Sequence, residues 1–308
     1  MFFKTFTSLF RGPPRLPIEP ANLLKDLGKV ETFPTLSDTT IRALELIHDP
    51  SSALAEVSDL VRRDAVLAVS LLKMANSIAY RGKHEIDDVR QAAVRLGKRG
   101  CLRVITSLGL KTVFRHRVAE ARTACESLHR HALFTASLAA HLNILGDFGY
   151  QGEEFTAGLL HDIGRVIICV RVPEAFFRAD PMSFREDATV LSQEREVLNI
   201  DHCEVGYRFA QANGLPDSVA ATILNHHFPR AEEHHRDLVA LVNLADALAN
   251  HVQRERKLAG FKLEACPAYK ILKKRLPPDV IDRFPAAVSG AVIKALRETR
   301  AMLHISAL

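Results

Sequence analysis

The chain is 308 residues long, enough for one large domain or two of medium size. Apolar residues make up 47% and charged residues 25%, an ordinary globular balance, and no apolar run reaches the roughly 18 residues of a membrane span. The net charge of +5 is mildly basic and would point to nucleic acid only if it were clustered.

The first twenty residues, "MFFKTFTSLFRGPPRLPIEP", are apolar and basic but have no unbroken apolar stretch and no small-residue cleavage site. They read as a tail. "SDTTIRALELIHD" follows as a helix with Ser37 as its N-cap. Pro50 ends it, so the first His-Asp pair, His48 and Asp49, sits where a helix C-terminus commonly carries a cation and a turn residue. "SALAEVSDLVRRD" and "AVLAVSLLKMANSIAY" have helical spacing. So do "DDVRQAAVRLG" and "GCLRVITSLGLKTVF", which Gly97 and Gly100 separate. The basic clusters "RLGKRGCLR" at 95–103 and "KILKKR" at 270–275 lack interleaved aromatics and read as solvated faces.

Beyond residue 120 helical patterns continue through "SLHRHALFTASLAAHLNIL", "EEFTAGLLHDIGRVIICV", "ATVLSQEREVLNI", "HCEVGYRFAQANG", "SVAATILNHHF" and "DLVALVNLADALANHV". No alternating stretch demands a strand, although "RVIICVRV" is β-branched enough to be ambiguous. The fold class is therefore all-α. Eleven of the fourteen histidines lie after residue 120, which places a functional boundary near 115–125.

The chemistry sits in that second half. His161 and Asp162 follow "AGLL" in an apolar helix or at its end, where an ionised carboxylate is costly unless paired or bound to metal. His131 lies on an apolar helix, and His202 starts a helix after Asp201. His226 and His227 end another helix, and Asp246 is a carboxylate amid apolar residues. Imidazole and carboxylate suit iron, manganese, zinc or nickel, and a thiolate site is not expected. Adjacent residues on a helix point about 100° apart, so "HD" and "HH" can address two ions or two sides of one, and the set is enough for two ions with Asp162 bridging. Two close ions suit attack on a phosphoryl group. His129, His141 and His251 read as surface or core residues, and His234-His235 as an exposed loop. The five cysteines are odd in number and form no CxxC motif, which suits reduced thiols in the cytoplasm.

The order His131, His161-Asp162, His202, His226-His227, Asp246 is similar to that of the HD superfamily. The text around it, from "FPTLSDTTIRALELIHDP" through "FTAGLLHDIGRVI" to "EREVLNIDHCEVGYRFAQANGLPDSVAATILNHHFP", resembles HDOD-domain proteins over about residues 22–250. The resemblance implies an all-helical bacterial signalling module related to HD phosphohydrolases. It divides the chain into a tail (1–21), an N-terminal helical lobe (22–120), a metal-binding lobe (121–252) and a helical extension (253–308). By position, His131, His161, Asp162 and Asp246 match the basic HD ligands. His202, His226 and His227 match the further ligands of the HD-GYP phosphodiesterases, which cleave cyclic di-GMP.

Three departures stand out. "FPRAEEHHRD" replaces the GYP segment, Arg165 stands where lysine usually follows "HDIG", and Ser127 stands where that branch can place a glutamate. The expectation is a cytoplasmic regulator with one or two divalent ions (iron, manganese or zinc) and a signalling protein as partner. A nucleotide or cyclic dinucleotide is a possible ligand, and neither nucleic acid nor a membrane span is expected. The alternative is a metal-dependent phosphohydrolase or phosphodiesterase in which Asp162 and Arg165 are the catalytic pair. A third, weaker reading is nucleic-acid binding through Lys98, Arg99 and Arg103.

Overall fold

The computed structural model describes residues 38–49, 51–62, 64–111, 119–180, 182 and 189–306. Ser37 and the expected tail over 1–21 lie outside them. Among the described residues there are fifteen α-helices and no strand. The first four are α1 (Asp38–His48), α2 (Leu54–Arg62), α3 (Ala65–Ala75) and α4 (Val89–Lys111). Asp64 caps α3 by accepting from the Val66 and Leu67 amides. In α4 the helix kinks at Gly97, which has φ 67°, and continues through Gly100, so only the first of the two expected glycine breaks occurs.

The first His-Asp pair ends α1. The Asp49 carboxylate accepts from the Ser51 amide at 2.8 Å and the Ser51 hydroxyl at 2.6 Å, a local turn. The nearby basic cluster is tied into the fold. Lys98 donates to the Asp49 and Ser52 carbonyls, and Arg95 to that of His84. Arg103 is only 6% exposed, so that end of the cluster is no solvated face.

A 28-residue helix, α5 (Ala119–Gly146), about 42 Å long, is the axis of the second half. From His131 to Ala140 every residue of it is buried, as in a helix packed all round. Around it run α6 (Glu153–Leu160), α7 (Ile163–Arg171), α8 (Pro173–Ala179), α9 (Thr189–Leu198), α10 (His202–Ala212), α11 (Asp217–Asn225) and α12 (Arg236–Glu255). The ambiguous "RVIICVRV" is helical, within α7 except for its last residue, Val172. The C-terminal helices are α13 (Pro267–Leu272), α14 (Pro278–Ile281) and α15 (Phe284–Ser306). Helix α15 packs along α5 and also touches α3 and α4. One apolar cluster runs from Ala43 through α4, α5, α7 and α10 to Ile305, and a second joins α5 to α12, α13 and α15.

The last helix is fastened by a buried charge cluster. Glu298 accepts from the Tyr80 hydroxyl at 2.6 Å and from Arg103 at 3.2 Å. It also lies 2.9 Å from His141. Burial alone would raise its carboxyl, but Arg103, His141 and Tyr80 hold it down at about 2.

Candidate metal centre

Two glycines set the spacing from which the site is built. A Cβ on Gly158 of α6 would stand 2.9 Å from the Ala136 Cα of α5, so only glycine allows that crossing. It brings the end of α6 beside His131. A Cβ on Gly164 of α7 would collide with the His202 carbonyl of α10. This second crossing brings His202 beside Asp162. The dipeptide His161-Asp162 occupies the turn between α6 and α7. Asp201 caps α10 through the Glu204 amide at 2.9 Å, which starts that helix at His202. His226 is the C-cap of α11.

All seven His and Asp side chains singled out from the sequence meet in one place. His131, His161, His202 and His226 are fully buried, and Asp162 and Asp246 nearly so. His227 is partly exposed. His161 Nε2 lies 3.6 Å from Asp162 Oδ2 and 3.6 Å from Asp246 Oδ1, which is itself 2.9 Å from His131 Nε2. On the other side, Asp162 Oδ1 lies 3.5 Å from Nε2 of both His202 and His226. Those two nitrogens are 3.4 Å apart, and His227 Nε2 is 3.1 Å from His202 Nε2. Donors about 2.0–2.1 Å from a tetrahedral ion stand about 3.3 Å from one another, close to these spacings.

The histidine tautomers follow from their outer partners. His131 Nδ1 faces the Gln253 amide oxygen at 2.8 Å, and His161 Nδ1 faces the Gly158 carbonyl at 2.8 Å. His202 Nδ1 faces the Glu194 carboxylate at 2.7 Å, and His226 Nδ1 faces the Ile223 carbonyl at 2.9 Å. Each partner oxygen only accepts, so each Nδ1 carries the proton and donates it outward. In the neutral rings the four Nε2 lone pairs then point inward. This is how imidazole ligands are oriented for metals. At the centre, His161 Nε2 and Asp162 Oδ1 are buried with no hydrogen-bond partner. Such orphaned atoms are costly, and an ion between them would satisfy both. The residues present therefore fit a metal.

The electrostatics agree. Burial alone would raise the Asp162 carboxyl, but Arg165, His161, His226 and His202 hold it well below the usual carboxylate range. Burial alone would push His202 and His226 down. Cys203, with Glu194 beside His202 and Asp162 beside His226, pushes both well above the usual range. Burial and the two neighbouring histidines push His227 down. The pocket favours positive charge, which either protons or a metal can supply.

Arg165 is placed differently from the role expected for it. It is 2% exposed and donates to Asp162 Oδ2 at 2.8 Å and to Asp180 Oδ2 at 2.8 Å. Its guanidinium steadies Asp162 from behind and does not face an open site. A thiol, not expected from the sequence, lies close to the site histidines. Cys203 belongs with His202, His226 and His227 to a group whose donor atoms lie within 4.8 Å of one another. Sequence reasoning also passed over Glu194, Asp180 and Gln253. Gln253 had a signal: Asp246, Asn250 and Gln253 fall at i, i+4 and i+7 on one face of α12. The other histidines stay outside. His141 pairs with Glu298, His251 lies against the Phe261 ring, and His234 is exposed.

An all-helical fold gathers five imidazoles and two carboxylates at a helix junction, a donor set that could hold a metal. The chain belongs to the HDOD domain family, which matches residues 33–229. Three solved structures share its fold. An HDOD domain protein of unknown function from Geobacter sulfurreducens is 24% identical, with TM-score 0.73, covering 92% of this chain and 99% of that one. A candidate metal-dependent phosphohydrolase from Shewanella amazonensis SB2B is 20% identical, with TM-score 0.60, covering 92% and 97%. A candidate signal transduction protein from Marinobacter aquaeolei VT8 is 20% identical, with TM-score 0.68, covering 92% and 65%. An uncharacterised protein of Treponema pallidum (strain Nichols) is 25% identical over 219 residues, 71% of this chain, and the chain spans only 42% of that relative's length. Among the described residues no helix is long and apolar enough to cross a membrane.

Proposed function

We propose that the chain is a bacterial, cytoplasmic signalling module whose second half holds one or two divalent transition-metal ions. Its output is association with a signalling protein, tuned by a nucleotide at the centre. Iron, manganese and zinc all suit the imidazole and carboxylate donors. The observation that carries the reading is the set of four buried imidazoles with Nδ1 tied outward and Nε2 turned toward Asp162 and Asp246. Five free cysteines suit a reducing compartment. A bound ion would supply fixed positive charge and acidify a water in its shell. The chain's own residues do the positioning: Arg165 holds Asp162, Glu194 and Gln253 orient His202 and His131, and Asn250 donates to Asp246 at 2.9 Å. A regulator is favoured over an enzyme because Arg165, the cation expected to meet a phosphate, is buried between two carboxylates.

Metal analysis of protein purified without chelator tests this reading. One or two ions per chain are expected, lost from Asp162→Ala protein that keeps its helical content. Protein that carries no metal and takes none up would overturn it. A second reading, a metal-dependent phosphohydrolase, is favoured by one feature. His227 is partly exposed, and an open groove of about 990 Å³ reaches Cys203 and Asn225, the neighbours of His202 and His226. Hydrolysis of a cyclic dinucleotide in Mn²⁺, abolished by Asp162→Ala in folded protein, would establish that reading over the regulator.

A further inference from the structure

Cys203 follows His202 on the first turn of α10 and is 3% exposed. It does not pack as an inert thiol in an apolar pocket. Its Sγ lies 3.9 Å from the His226 ring at Nδ1. The donor atoms of Cys203, His202, His226 and His227 fall within 4.8 Å of one another. Asp162 Oδ1 enters the same space, buried and without a hydrogen-bond partner, 3.5 Å from two of these histidines. A sulfur and a nitrogen on one tetrahedral ion, with bonds of about 2.3 and 2.0 Å, stand roughly 3.5 Å apart. The sulfur stands beside Nδ1 of His226, the nitrogen that donates to Ile223, so the thiol must swing toward the Nε2 side of that ring to close the shell.

We infer that Cys203 is a sulfur ligand at the position formed by His202, His226 and His227, so the two metal positions differ in softness. This rests on the metal-centre reading above. One position, with His131, His161, Asp162 and Asp246, offers two nitrogens and carboxylate oxygens, and suits a harder ion such as manganese or ferrous iron. The other offers three nitrogens and a sulfur, and selects zinc or cobalt. As the sulfur–metal bond forms, the thiol proton leaves to water. The ion can enter from the groove, whose wall includes Cys203 and Asn225. The other four cysteines lie outside this group, so the sulfur signal is specific to one residue.

The test is cobalt titration of full-length protein stripped of metal, followed by absorption and by bound-cobalt analysis. Visible ligand-field bands should grow together with a near-ultraviolet sulfur-to-cobalt band. In Cys203→Ser protein of unchanged circular dichroism, the near-ultraviolet band should disappear while the visible bands remain. Cobalt bound without a sulfur band in the wild type, or a band that survives in Cys203→Ser, overturns the sulfur ligand and leaves the metal centre standing. No bound cobalt at all overturns both. Should the variant fail to fold, X-ray absorption of zinc-loaded wild type decides: a sulfur shell at about 2.3 Å supports the inference, and a shell of light atoms alone refutes it.

Discussion

Replacing Gly164 by alanine tests the spacing on which the whole centre depends. The added methyl would collide with the His202 carbonyl and lie 2.9 Å from the Gly206 amide nitrogen. Both are backbone atoms in α10, so no side-chain rotation relieves the clash, and α7 and α10 must separate. Overpacking of this kind costs about 1–3 kcal/mol, and rigid neighbours place it at the upper end. At 2–4 °C per kcal/mol the expected fall in Tm is about 6–12 °C. A separation of roughly 1 Å also stretches the 3.5 Å between Asp162 Oδ1 and His202 Nε2, beyond what one ion can bridge. Metal content should therefore fall by one ion per chain in protein that still folds at 20 °C. The matched control is Gly290→Ala in α15, where an added Cβ meets nothing within 4 Å. That change should be neutral or stabilise by up to about 1 kcal/mol. Calorimetry and metal analysis of the two variants are the assay. A Gly164→Ala protein that melts within about 2 °C of wild type with its full metal content would refute the argument.

Glu298 gives a pH prediction. Its folded carboxyl lies at about 2 against an ordinary 4.5, so its stabilisation is complete above pH 4.5 and is lost as pH falls toward 2. The difference corresponds to about 3 kcal/mol, and Glu298→Gln should flatten the acid limb of Tm against pH by that amount. Glu154, which burial pushes the other way, is common to both proteins and cancels. An acid limb that is unchanged in the variant would count against the cluster. Glu194→Ala removes the acceptor that fixes His202, and should weaken binding of one ion by about 10–100-fold in a chelator competition. An unchanged affinity would show that the Glu194 contact does not orient a ligand. Adding metal at 100 times its dissociation constant should stabilise the protein by about 2.7 kcal/mol, read as a rise in Tm that chelator reverses.

The sequence made the helices legible because apolar spacing and capping residues such as Asp64 and Asp201 act locally. It also pointed to the seven residues that meet, because a histidine or aspartate inside an apolar helix advertises an unusual environment. What stayed hidden was set by long-range packing. Glu194 sits in "SQEREVL", where a glutamate looks like an ordinary surface charge, yet it is 1% exposed under His202. Asp180 and Arg165 are fifteen residues apart, and nothing local announces that they pair. Cys203 was passed over because no cysteine motif surrounds it, and two of its neighbours in space, His226 and His227, come from the end of another helix. Arg103 looked like one more surface cation, because its partner Glu298 lies 195 residues further on.

The HDOD match stops at residue 229, but the physical object does not. Asp246 and Gln253, which flank the two nitrogens of His131, lie beyond that point, and so does Glu298. A fragment cut at 229 would leave α5 without α12 and α15, exposing Phe134, Leu138 and Leu142 to water. It would also leave Arg103 and Tyr80 without the Glu298 carboxylate that both contact. Helix α15 thus ties α3 and α4 to α5. During synthesis the five histidines and Asp162 emerge before α12, so on the ribosome the set stays incomplete until Asp246 and Gln253 reach His131.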